Sequence, residues 1–191
     1  MSCLRPGFAS PVLDAQASFR AVLDAMSRPG RIVTLAAHAP APAPLNQAAA
    51  AALLTLADAE TPVWSDAGAD VAEWLGFHAG CAFTPQIRQA RFVLATGAAP
   101  ALATINAGTE EEPQSSATLI CQVEALVAGE GWRLTGPGIE TEHRLRVFGL
   151  AEDFLAQWQV QRARFPRGVD VLLCAGSRIA ALPRSVTIRE G

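Results

Sequence analysis

Three stretches, Arg91 to Ala95 (RFVLA), Thr118 to Val127 (TLICQVEALV) and Val169 to Ala175 (VDVLLCA), are almost continuously apolar. A strand with one wet face alternates apolar and polar residues. A run of this kind is greasy on both sides and needs a layer over each face. Helical periodicity supplies candidates for those layers. From Val12 to Ser27 the residues Phe19, Val22, Leu23 and Met26 recur at helical spacing, which predicts a buried stripe with Asp14, Arg20 and Asp24 on other faces. Pro29-Gly30 ends this helix, because proline lacks the donor N–H and glycine accepts a left-handed turn. Asn46 is placed to cap a second helix running through Leu53, Leu54 and Leu56 to about Asp58, and Asp70 to Phe77 reads as a third.

Short strands over Arg31 to Leu35 and Thr61 to Trp64 lie between these helices. Further on, Thr118 to Val127 and Trp132 to Thr135 are expected to pair as an antiparallel hairpin around Gly129 to Gly131. A helix follows around Ala151 to Arg162, and Val169 to Ala175 and Arg178 to Pro183 close the chain as strands about a Gly176-Ser177 turn. Strands separated by helices, with a hairpin later, predict one α/β domain over residues 1–191: three layers, α/β/α, with a mixed sheet. A chain of 191 residues can bury roughly 70% of its unfolded surface, so such a core is within reach. Ala36 to Leu45 and Asn106 to Ser116 (NAGTEEEPQSS) read as surface loops.

Composition narrows the chemistry. All 15 basic residues are arginine, and lysine is absent. That excludes a lysine Schiff base and a Walker-type phosphate loop on this chain. Tyrosine is absent too, removing one common general acid. A net charge of −3 gives no electrostatic reason to expect nucleic acid or an anionic membrane as partner. No apolar stretch reaches the ~20 residues of a membrane helix, and the Ala48 to Ala52 run is too short. The N-terminal MSCLRPGFASPV lacks the pattern of a signal peptide. Cys3, Cys81, Cys121 and Cys174 are scattered with no C-x-x-C pair, and Cys121 and Cys174 sit in apolar runs. Reduced thiols of this kind fit the cytoplasm.

Neither a nucleophile elbow, a dinucleotide glycine motif nor a helical zinc-binding histidine pair is present: His38, His78 and His143 are far apart. His78 is expected at a helix C-terminus, and His143, within EHRLR, on an exposed polar face. Glu110 to Glu112 read as solvated carboxylates. The residues best suited to hold a phosphate are Arg184, whose guanidinium can bind it bidentately, the backbone N–H groups of Gly136 and Gly138, and the hydroxyls of Ser115, Ser116 and Thr118. A surface salt bridge is the competing use for Arg184, and simple turns the competing use for the glycines. The residues themselves support neither a cofactor nor a metal site.

In chain order, FRAVLDAMSRPG (from Phe19), LLTLADAETPVW (from Leu53), SATLICQV (from Ser116), LTGPGI (from Leu134), FPRGVDVLL (from Phe165) and ALPRS (from Ala181) together resemble the PhnH-type subunit of the carbon–phosphorus lyase system. The resemblance spans about Asp14 to Val186. It implies a fold similar to the large domain of pyridoxal-phosphate transferases without the cofactor, a homodimer, and a place in a complex with PhnG-, PhnI- and PhnJ-type subunits. That assembly forms a ribose 1-phosphonate 5-triphosphate from a nucleoside triphosphate and a phosphonate. Two departures stand out: Gln114 replaces an acid, which is displaced to Glu110 to Glu112, and Pro183-Arg184-Ser185-Val186 lacks one hydroxyl of the family ending. Two readings follow. One is a dimerising structural subunit without catalytic groups of its own. The other is a ligand-binding or catalytic subunit that holds a phosphate-bearing substrate in a dimer cleft.

Overall fold

The structure is a computed structural model that describes residues 6–191; Cys3 and the rest of the Met1–Arg5 stretch lie outside the described residues. The chain order is α1 (Pro11–Ser27), β1 (Val33–Thr34), α2 (Gln47–Leu56), β2 (Val63–Ser65), α3 (Ala69–Ala79), β3 (Phe92–Ala95), β4 (Thr118–Gln122), β5 (Ala125–Thr135), β6 (His143–Phe148), α4 (Phe154–Arg162), β7 (Asp170–Ala175), β8 (Arg178–Leu182) and β9 (Thr187–Arg189). A six-stranded sheet has the order β1-β8-β7-β4-β3-β2, and a three-stranded sheet the order β6-β5-β9. Strands β2, β3, β4 and β7 run parallel. The β7–β8 hairpin and β1 add antiparallel pairings, so the large sheet is mixed as expected.

The unbroken apolar runs are explained by where successive side chains go. Leu94, Ile120, Leu172, Cys174, Ile179 and Ala181 enter one core, packed by α1, α2 and α3. Their neighbours Val93, Leu119, Cys121, Val171, Leu173, Ala180 and Leu182 enter a second core on the opposite face. With a period of two and both faces dry, the strand interiors are apolar throughout and only their ends carry polar residues such as Thr118, Gln122 and Asp170. The fold is therefore α/β in three layers. Its third layer carries one helix, α4, together with the small antiparallel sheet, whose Leu126, Leu134, Leu145 and Ile188 pack on the large one.

Local chemistry sets the helices. In α1, proline occupies the first turn and the Asp14 carboxylate accepts the Ser10 N–H at 2.8 Å. Asn46 caps α2 as anticipated: its side chain accepts the Ala49 N–H at 2.9 Å, while its amide donates to the Cys174 carbonyl at 3.0 Å. Ala48 through Leu53 are all buried, the signature of a helix enclosed on every side.

Four expectations are corrected. The α1 stripe is rotated: Ser18, Val22 and Ala25 are its buried residues, and Phe19 and Leu23 stay 49% and 55% exposed. Two small residues, Ser18 and Ala25, let the helix sit close, and the bulkier side chains are left outside. The stretch from Thr118 to Val127 is not one strand. It breaks after Gln122, where β4 leaves the large sheet and β5 enters the small one. Gly129 to Gly131 is not a hairpin turn but a bulge inside β5, with Ala128 and Trp132 both opposite Leu145 of β6. Gly131 has φ +79, and a Cβ there would stand 2.7 Å from the Arg146 Cα, so the bulge has room only for glycine. Finally, His143 is half-buried at the start of β6, and its Nδ1–H donates to the Pro29 carbonyl at 2.7 Å.

Candidate functional site

Arg184 follows β8 and faces the first residue of β7. Its Nη2 and Nε donate to the two oxygens of Asp170 at 2.5 and 3.1 Å, and its backbone N–H donates to Oδ1 at 2.7 Å. Nη1 donates to the Pro113 carbonyl at 2.5 Å. The two side chains are 18% and 16% exposed, so this pair is shielded and bidentate rather than a solvated surface bridge. Its geometry ties three segments together: the end of β8, the start of β7 and the loop before β4. In this arrangement the guanidinium already has a carboxylate partner on its forked edge.

The remaining candidates fall into two groups. Ser115, Ser116 and Thr118 lie at the mouth of β4, close to Pro113. The Ser115 hydroxyl donates to the Glu112 carbonyl at 2.7 Å, and the Thr118 N–H donates to the Arg91 carbonyl at 3.0 Å. The Ser116 hydroxyl is buried and has no hydrogen-bond partner among the described residues, while the Ser116 carbonyl accepts from Arg91 at 3.4 Å. Asn106 closes this loop, donating to the Ser115 carbonyl at 2.9 Å. The two glycines lie elsewhere. Gly136 packs against the backbone of Ser185 and Val186, one residue beyond Arg184. Gly138 turns toward the end of α1, where a Cβ would collide with the Ser27 carbonyl. Arg184 and the serines thus share one neighbourhood, which Gly136 borders and Gly138 does not join.

Beside this cluster lies a cleft of about 600 Å³ between α4 and residues 101–108. Two glutamines one helical turn apart on α4 form its base. Gln157 accepts the Leu102 N–H at 2.8 Å and donates to Asp153 at 2.9 Å. Gln161 is buried and both donates to the Val169 carbonyl, at 3.0 Å, and accepts the Val169 N–H, at 2.9 Å. The Gly168 N–H donates to the Ala107 carbonyl at 2.9 Å and closes the far end. Sequence reading missed Asp170, Gln157 and Gln161. The available signals were an acid opening an otherwise apolar strand and the i, i+4 spacing of the glutamines.

The thiols sit away from this region. Burial pushes Cys121 up to about 12 and raises Cys174 as well, with the charge of Asp66 and the neighbouring Cys121, respectively, acting in the same direction. Burial also raises Cys81. Thiols held this way are poor nucleophiles at neutral pH. No group of three metal-ligating side chains comes together among the described residues, and no helix there is long and apolar enough to cross a membrane.

Fold and site together define an α/β protein whose best-paired charges join loops to strands instead of standing open to solvent. The chain belongs to the PhnH family of bacterial phosphonate metabolism proteins, whose family model matches residues 6–189. It is 39% identical over 188 residues to the alpha-D-ribose 1-methylphosphonate 5-triphosphate synthase subunit PhnH of Rhizobium meliloti (strain 1021), a match covering 96% of this chain and 94% of that protein. It is 35% identical over 176 residues to the putative C-P lyase subunit protein HtxG of Stutzerimonas stutzeri, covering 91% of this chain and 85% of that one.

Proposed function

We propose that this chain is a subunit of a carbon–phosphorus lyase system, serving the synthase that forms a ribose 1-phosphonate 5-triphosphate from a nucleoside triphosphate and a phosphonate. The observation that carries the reading is the near end-to-end likeness to a named synthase subunit, 39% identity over 96% of the chain. Its role is mainly structural: it works as one domain, pairs with a second copy of itself and docks onto PhnG-, PhnI- and PhnJ-type subunits in the cytoplasm. Two features support a joining role. Arg184, the best candidate for anchoring an anion, is engaged with Asp170. The outer side of α1 leaves Val12, Phe19 and Leu23 at 80%, 49% and 55% exposure, spaced seven and four residues apart so that they line one stripe.

Co-expression with the three partner subunits and a pull-down through a tag on this chain tests the assembly; recovery of this chain alone refutes it. Light scattering tests the pairing, which predicts a dimer at micromolar concentration and a monomer for the double variant Phe19→Asp/Leu23→Asp. A second reading has a phosphate-bearing substrate at Arg184 with Ser115, Ser116, Thr118 and Gly136, while Gly138, against the end of α1, stands outside that neighbourhood. The unpartnered buried hydroxyl of Ser116 favours it. It predicts that Arg184→Ala weakens nucleotide binding at least tenfold in calorimetry, and an absence of heat with the unmodified protein disposes of it.

A further inference from the structure

The cleft between α4 and residues 101–108 differs in character from the rest of the surface. Leu102 and Ile105 wall it on one side, Ala156 and Val160 on the other, and Val160 is 58% exposed. A volume of about 600 Å³ falls within the range of organic-ligand pockets. Its polar groups are unevenly signed. Arg88, Arg164 and Arg167 line it against a single carboxylate, Asp153, in a chain whose net charge is −3. The three cations are also little compensated. Arg88 donates to a neutral acceptor, the Ala103 carbonyl, at 3.1 Å. Arg167 meets Glu110, at 3.5 Å, as its one ion-pair partner among the described residues, and that carboxylate is 74% exposed. Arg164 is exposed and makes no ion pair among the described residues. Asp153 is held by Gln157.

We infer that this cleft binds a small amphipathic organic anion, one with an apolar or flat body and a phosphate, phosphonate, sulfonate or carboxylate at one end. The apolar walls take the body and exclude water from it, while the guanidiniums, planar and forked, take the anionic end. Their surplus positive charge in a partly apolar recess is screened less than it would be on an open surface and draws anions toward the mouth. The base is rigid because Gln157 and Gly168 are hydrogen-bonded to the 101–108 wall and Gln161 is tied to the Val169 backbone, so binding costs little ordering of the protein. This site does not use Arg184 or the hydroxyls of Ser115, Ser116 and Thr118, and it stands whether or not the chain assembles with other subunits.

The test uses the full chain and 8-anilinonaphthalene-1-sulfonate, whose fluorescence rises on transfer to an apolar environment and whose sulfonate supplies the anion. The expected result is one saturable site per chain. Affinity should fall at least tenfold in Val160→Asp and in Ala156→Trp, which spoil or fill the cavity. In Arg164→Ala/Arg167→Ala it should fall threefold or more, with the loss growing as salt is lowered. Arg31→Ala, in the separate recess beside His143, should bind as the unmodified chain does. Circular dichroism melts confirm that each variant is folded; should either cavity variant fail to fold, the exposed arginine pair decides the matter. Adenosine triphosphate and inorganic phosphate then serve as competitors, and displacement by the former alone supports the need for an apolar body. The proposal is overturned if the probe fails to saturate, if the arginine and cavity variants bind as tightly as the unmodified chain, or if inorganic phosphate competes as well as the nucleotide. Pull-down of the same variants separates the questions: loss of the probe with retained partners leaves the subunit reading standing.

Discussion

The two faces of the six-stranded sheet are covered by opposite strategies. On one face α2 packs through Ala48 to Ala52, none of which retains measurable exposure, so backbones approach closely and no space is left. On the other, a three-stranded sheet and α4 rest on large side chains: Trp158 and Phe154 stack with ring centroids 6.1 Å apart, and Trp132 stacks on Phe154 at 5.6 Å. Bulky spacers hold this layer off the sheet and leave it incomplete, and the 600 Å³ cleft opens at its margin. The small residues of α2 give a sealed contact, although Trp74 and Leu75 of α3 complete that face, whereas the large anchors under α4 leave room for a visitor. The candidate chemistry, correspondingly, lies on the second face or at its edge.

Removing an anchor should hurt most. Trp158 is 1% exposed and donates to the Val186 carbonyl at 3.0 Å, joining α4 to the segment that leads into β9. Trp158→Ala should cost about 4 kcal/mol in urea unfolding, from lost burial, a cavity and a carbonyl left without its donor. Trp158→Phe should recover most of the packing but not the hydrogen bond. Overfilling the sealed face comes next: Ala51→Leu forces extra carbons where there is no space and should cost about 2 kcal/mol. The matching enlargement on α4, Ala156→Leu, points into the cleft and should change stability by less than about 0.5 kcal/mol. Equal penalties for the two alanine variants would break the contrast between the faces.

Legibility followed the same division. The central strands of the large sheet, β3, β4 and β7, could be read because both of their faces are dry, and the resulting apolar runs have no other use. Strand β6 could not: of HRLRVF only Leu145 is buried, so the segment reads as polar surface until β5 is found beside it. The glycines at 129 and 131 carry a genuine turn signal, and only the partner strand decides that they make a bulge. In α1 periodicity marked a stripe correctly in kind but not in rotation, because Ser18 and Ala25 give no hydrophobic signal yet permit the closest packing. At the site, Arg184 was recognisable as an anion-seeking residue. That its anion is Asp170, fourteen positions earlier, follows from the β7–β8 register, in which Val171 pairs with Leu182. The cleft joins segments some fifty residues apart, a distance over which sequence pattern carries no contact information.

The smallest expected effect belongs to the rim of the second face, where the β5–β6 hairpin holds a charge cluster. Glu142 accepts from Arg133 Nε at 2.6 Å and from Arg144 Nε at 2.9 Å, on neighbouring strands of the small sheet. These hydrogen bonds hold its carboxyl below the ordinary value of 4.5. A depressed carboxylate contributes stability that is fully present above the pKa of the unfolded chain and is lost as pH falls through the folded value. The hairpin should therefore loosen only in acid, below about pH 4.5, with a small amplitude that salt reduces, because Arg133 and Arg144 are 50% and 45% exposed. In Glu142→Gln the unfolding midpoint should lose part of its acid dependence while remaining nearly unchanged at neutral pH. A midpoint that falls with acid just as steeply in the variant would assign that dependence to other carboxylates, with the Asp170–Arg184 pair the first to examine, and would remove the cluster from the account of what holds the small sheet together.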